Sequence, residues 1–162
     1  MKYLPIYLND HYAGSTLGVE LAKRAANNSR DNAEFGPALA TLASEIDEDR
    51  DALKRIMDRL DVSEDRIKAS IFWLGEKVGR LKPNGELLKF SPLSRVVELE
   101  GLITGVGGKL SLWRTLQELA ERDARLDAGE LDVLAGRAED QLLRLHALRG
   151  AAGLIAFVDD IA

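Results

Sequence analysis

Apolar residues recur at helical spacing along most of the chain. The clearest run lies between residues 36 and 60, where Leu39, Leu42, Ile46, Asp49, Leu53, Ile56 and Leu60 alternate steps of three and four. That is the seam of a bundle helix, with a carboxylate at one seam position. A later run puts Val96, Leu99, Leu102, Ile103, Val106, Leu110, Trp113 and Ala120 on one face, with Gln117 among them. The last run uses Leu131, Leu134, Ala138, Leu142, Leu145, Ala152 and Ala156, interrupted by Arg149. The first uses Leu4, Tyr7, Leu8, Val19, Ala22, Ala25 and Ala26, with His11 near the middle of the stripe. Proline and glycine punctuation divides the whole into helical segments over 3–28, 36–60, 64–81, 93–123 and 128–158, and no segment shows the period of two that a strand needs.

The breaks have local causes. Asn27, Asn28 and Ser29 end the first segment, Ser63 with Glu64 to Arg66 reads as a cap with an acidic first turn, and Pro83-Asn84-Gly85 forces a turn. Ser91-Pro92 places a good cap before a proline at the first helical position. Short turns join the first two segments and the last two, which predicts two antiparallel hairpins. The long connection between them carries Ile67, Ile71, Leu74, Val78 and Leu81 on one face and predicts a short fifth helix of its own.

Two hairpins joined by a long crossover resemble the ferritin-like bundles, over nearly the whole chain and by layout and spacing alone. The expected fold is therefore all-α, a ferritin-like up-down four-helix bundle whose long crossover contains a short fifth helix, as one domain over 1–162. The resemblance would imply a di-iron site held by one glutamate from each of two helices and a Glu-x-x-His pair from each of the other two. Neither histidine fits that pattern: Leu8 precedes His11 by three residues, and Leu143 precedes His146. Glu20 projects roughly opposite the apolar stripe of the first helix. The resemblance thus implies the scaffold without its metal chemistry.

Composition narrows the field further. The chain has 162 residues, enough for a full hydrophobic core, and no cysteine, which excludes disulfides, thiolate metal sites and cysteine nucleophiles. A net charge of −5, from 27 acidic and 22 basic residues interspersed along the chain, supplies no footprint for nucleic acid. The apolar cluster in MKYLPIYLND is too short for a signal-peptide core, and no run approaches the ~20 apolar residues of a membrane span. A soluble chain of cytoplasmic type is expected.

Candidate chemistry centres on the carboxylate in the seam. With a hairpin turn near 30–32, His11 lies level with Asp49, and Glu45 sits one turn away on the same side. A parallel crossover brings Lys109 and Gln141 to about the same height. Two readings remain open. His11, Glu45 and Asp49 could bind a divalent metal, helped by Glu100 or His146. Alternatively, Asp49 anchors a buried polar network with His11 and Lys109 that sets helix register. A lysine in the layer repels a metal and favours the network.

Other signals are weaker. Gly105-Val-Gly107-Gly108-Lys109-Leu110-Ser111 lacks the leading glycine, the Ser/Thr after the lysine and the strand of a phosphate loop. Ser15, His11 and Asp49 could compose a nucleophilic triad, but with no oxyanion-forming loop beside them. Gly101, Gly105 and Gly108 fall opposite the apolar stripe of their helix, where another backbone, from the crossover or a second subunit, could approach. Phe72 and Trp73 lie off the crossover seam, either as an aromatic anchor for a partner or because the crossover helix is wedged between two surfaces and buries both. Together these predict a non-catalytic bundle that acts through self-association or a protein partner, with no cofactor. The alternative is a metal-binding or di-metal carboxylate protein with a non-standard ligand set. A bundle that takes a small apolar ligand between its hairpins is a third option.

Overall fold

The last two helices begin where side chains satisfy their terminal backbone groups. A computed structural model describes residues 2–64, 90–158 and 161, and among these all regular structure is helical: α1 (Leu4–Ser29), α2 (Gly36–Arg59), α3 (Pro92–Ala120) and α4 (Ala128–Phe157). Ser91 and Ser94 form a reciprocal capping box at the start of α3, and Asp127 accepts a hydrogen bond from the Glu130 amide at the start of α4. Beyond α2, Asp61 adopts a left-handed conformation (φ 56°), and the Val62 amide closes back on the Met57 carbonyl at 2.9 Å. The expected helix over 64–81 falls almost wholly outside the described residues, as do Phe72 and Trp73.

The α1–α2 connection is built around Asn32, whose side-chain oxygen accepts from the amides of Glu34 and Phe35 at 2.9 and 3.0 Å. It is closed by Gly36: a Cβ there would stand 2.8 Å from the Ser29 carbonyl oxygen, so only glycine allows the two helix ends to meet this closely.

Cross-bundle pairs give the helix directions. Phe35 stacks under the Arg95 guanidinium, Asp49 meets Lys109, and the Leu60 carbonyl accepts from Arg125 just beyond α3, so α2 and α3 run in the same direction. Arg24 and Ser29 on α1 meet Glu98 and Arg95 on α3, while Arg59 and Glu48 on α2 reach Glu130 and Arg137 on α4, which makes both of these pairings antiparallel. α3 with α4 and α1 with α2 form the main interfaces, α1 also packs on α3, and α2 meets α4 through long side chains. The result is a four-helix bundle in which α2 ends and α3 begins at opposite ends.

The core contains the sequence stripes and more. Leu39, Leu42, Leu53, Ile56, Leu99, Leu131 and Leu145 are buried, joined by Phe35, Met57, Leu112 and Leu116. Trp113 is wholly buried near the middle of the stack. Gln117 and Arg149, which interrupt the stripes, turn to the bundle edges, where Gln117 donates to Asp132 at 2.6 Å and Arg149 pairs with Glu100 at 2.8 Å.

Candidate functional site

Asp49 interrupts the α2 seam, and its side chain is completely buried. A buried carboxylate persists only with partners, and three helices supply them. Lys109 Nζ on α3 donates to Asp49 Oδ2 and, at 2.6 Å, to Gln141 Oε1 on α4. Gln141 Nε2 donates to Asp49 Oδ2 and to Glu45 Oε2, each at 3.2 Å. The Arg137 guanidinium faces Asp49 Oδ1 as a charge contact without hydrogen-bond alignment, and its other end holds Glu48 at 3.0 Å. Arg144 clamps Glu45 and Asp140. The layer thus alternates cation, amide and carboxylate across the bundle.

The electrostatics follow from this burial. Desolvation pushes the Lys109 ammonium below its ordinary value of 10.5, against the opposing pull of Asp49. Burial pushes the Glu45 carboxyl up, but the hydrogen bonds from Arg144 and Gln141 outweigh it, and the group sits below its ordinary 4.5. Both carboxylates are thus occupied by cations, and the layer ties α2, α3 and α4 together.

His11 lies apart from it. The connection occupies residues 30–35, so the hairpin centre falls at 32–33 and Asp49 stands opposite residues 15–16 of α1. That shift displaces His11 along the bundle by about 7 Å at 1.5 Å per residue. His11 packs edge-on against Tyr7, with ring centroids 4.5 Å apart, and makes no hydrogen bond or ion pair among the described residues. Burial pushes its imidazole below the ordinary 6.5, with Asp10 pulling the other way. Glu100 is engaged by Arg149 and His146 is exposed. Among the described residues no group of three His, Cys, Asp or Glu side chains is placed to hold a metal ion, so the His11, Glu45, Asp49 ligand set is not assembled. The Ser15 hydroxyl donates to the Tyr12 carbonyl at 2.7 Å, within its own helix, and not to His11.

The glycines of α3 line a cavity. Gly101, Gly105 and Gly108 face Gly14 and Gly18 of α1 across a cavity of about 520 Å³, whose wall is mostly apolar and includes Leu102, Leu112 and Trp113. Among the described residues, added Cβ atoms at Gly18, Gly105 and Gly108 would meet open space, and one at Gly101 would stand 2.9 Å from the Leu21 side chain. Among the described residues the stripe lines this cavity, and the crossover, one of the two neighbours expected there, lies outside them. His11, Asp49 and Lys109 border the same cavity without joining there. The Trp113 indole N–H, buried at its edge, has no acceptor.

No protein-family model, curated protein or solved structure matches this chain. The site is therefore read from its geometry alone. Two cations, Arg137 and Arg144, went unrecognised in the sequence although they flank Gln141 at helical spacing on α4. Gly14 and Gly18, four residues apart on α1, were the missing half of the glycine-lined face. No described helix is long and apolar enough to cross a membrane.

Proposed function

We propose that this chain is a non-catalytic helical bundle of ferritin-like layout that acts by association, with a second copy of itself or with another protein. The parallel α2 and α3, joined by a long connection, support the layout. The carboxylates that would have formed a metal centre are occupied by Lys109, Arg137 and Arg144, which supports a structural interior.

The observation that carries association is the end of α4. Residues 150–158 contain no charged side chain, and Leu154 (73%), Val158 (51%) and Ile155 (47%) are exposed. A helix end that is apolar all round is normally covered, and an exposed patch of large apolar side chains marks an interaction surface. At the start of α3, which α4 passes beyond its Glu100–Arg149 contact, Leu93 is also exposed, as is Phe90 just before it.

Sedimentation velocity over a concentration series tests the reading. The wild type should associate, and Leu154→Glu should shift it to monomer while leaving its helical content unchanged. A monomeric wild type at high concentration removes self-association. If the same protein also stays soluble with its apolar end unmasked, association with other proteins loses its motive as well.

A further inference from the structure

The α1–α3 cavity lies on the route that the α2–α3 connection has to take. α2 ends and α3 begins at opposite ends of the bundle, so the chain between Glu64 and Phe90 must run its whole length. Both ends of that connection stand beside α1. At one, the buried Asn9 donates through Nδ2 to the Ser63 carbonyl at 3.1 Å. At the other, Phe90 lies under the Arg95 guanidinium, whose Nε donates to Ser29 Oγ at 3.4 Å.

The lengths agree with a course along α1. From Asn9 to Ser29 that helix covers about 30 Å at 1.5 Å per residue. The apolar-periodic run over 64–81 covers about 27 Å at the same rise, which leaves the residues from Lys82 to Lys89, with the Pro83-Asn84-Gly85 turn, for the remainder. Along this course the open face of α1 is the one toward α3, where there is room beside Gly18, Gly105 and Gly108 and the wall is mostly apolar. An apolar hollow of about 520 Å³ and an apolar stripe of Ile67, Ile71 and Leu74 each need a surface to bury against. Counted from the Asn9–Ser63 contact at equal rise, those three pass level with residues 13, 17 and 20 of α1. Gly14 and Gly18 stand within that span, and Gly101 lies against Leu21 at its end.

We infer that this groove is the docking site for residues 65–89 of the same chain, with Ile67 and Ile71 entering beside Gly14 and Gly18 and Leu74 at the Gly101 end. The two anchored ends account for the path. The glycines account for the room. This docking is independent of the apolar end of α4, so either can fail without the other.

Paired cysteines in the full chain, which has none of its own, test the inference. Gly18→Cys with Ile71→Cys, and Gly14→Cys with Ile67→Cys, should be joined within one chain by a short bismaleimide, whereas Ile71→Cys with Val133→Cys on α4 should not. Trypsin gives a second readout, since Lys68, Lys77 and Arg80 lie in the segment. It should cut there at least tenfold more slowly in the wild type than in Gly105→Trp, whose indole takes the space of the docked side chains while the four helices persist. A single methyl takes little of that space, so Gly105→Ala should stay as resistant as the wild type. Cross-links formed only between chains would give the groove to a second copy and overturn the inference, as would equal cutting of the wild type and Gly105→Trp. Should Gly105→Trp fail to fold, Ile71→Asp within the segment should raise cutting by the same factor, and unchanged cutting there would overturn it equally.

Discussion

Within one turn of α3, Lys109 reaches across the bundle to fill a buried polar layer, whereas Gly105 and Gly108 leave a hollow against α1. The two regions lie at the same height and share a helix, yet they solve opposite problems. The layer brings charge into the interior and satisfies it with partners from three helices. The hollow removes side chains at Gly105 and Gly108, where a Cβ would meet no described neighbour. Charge inside a core imposes a single register, because any slip strands an ion in a low dielectric. A run of glycines imposes nothing comparable, and lowers intrinsic helix stability. A slipped register would therefore be penalised by the layer, while the hollow is an expense that helix stability does not explain.

The most disruptive way to break that contrast is to empty the layer. Asp49→Ala should destabilise the chain by about 3–5 kcal/mol in a urea melt, because Lys109 and Arg137 would face each other without their carboxylate. Replacing Asp49 by Leu and Lys109 by Met together should cost less than the sum of the single changes by about 1–3 kcal/mol, the coupling expected of a shared buried network. Strict additivity would show that the two do not act as one unit.

The glycines should respond in opposite directions. Gly36→Ala should destabilise by more than about 1 kcal/mol, since its Cβ would press on the Ser29 carbonyl and a close backbone contact of that kind outweighs the gain in helix propensity. Gly105→Ala should raise stability by up to about 1 kcal/mol, since helix propensity improves and no described neighbour is displaced. Thermal melts of the two variants sharpen the distinction between a glycine required by the backbone and glycines that keep space open.

The smallest effect concerns pH. Glu45 has a folded pKa below its ordinary 4.5, so as pH falls the unfolded chain takes up that proton first. Its contribution is present above about pH 4.5 and is lost as pH drops through the folded value. Glu45→Gln should therefore flatten part of the acid limb of a stability profile and change little at neutral pH.

Much of this was legible in the chain. The three-four alternation of Leu42, Ile46, Leu53 and Ile56 along α2 leaves Asp49 no outward position, and all five side chains are buried. The length of the α2–α3 connection implies parallel helices, and that brings Lys109 and Gln141 to the height of Asp49. His11 was misplaced because sequence locates a helix boundary only to within a residue or two. α1 continues to Ser29 and the Asn32 turn follows it, and a shift of two or three residues at the hairpin becomes a full turn between facing side chains. Arg137 and Arg144 escaped notice because an arginine on the flank of a helix reads as solvated, although its long stem can carry the guanidinium to a buried carboxylate. The glycine stripe was visible on α3, but periodicity on one helix says nothing about what lies across from it.

Gln141 has a consequence of its own. Its amide oxygen faces an ammonium and its nitrogen faces two carboxylates, so a half-turn about its last bond would set like against like on both sides. The amide is held in one orientation, and its two protons can exchange with deuterated water only when the bundle parts at this level. Two resonances from a single uncharged side chain thereby become a clock for how often the centre of the protein opens.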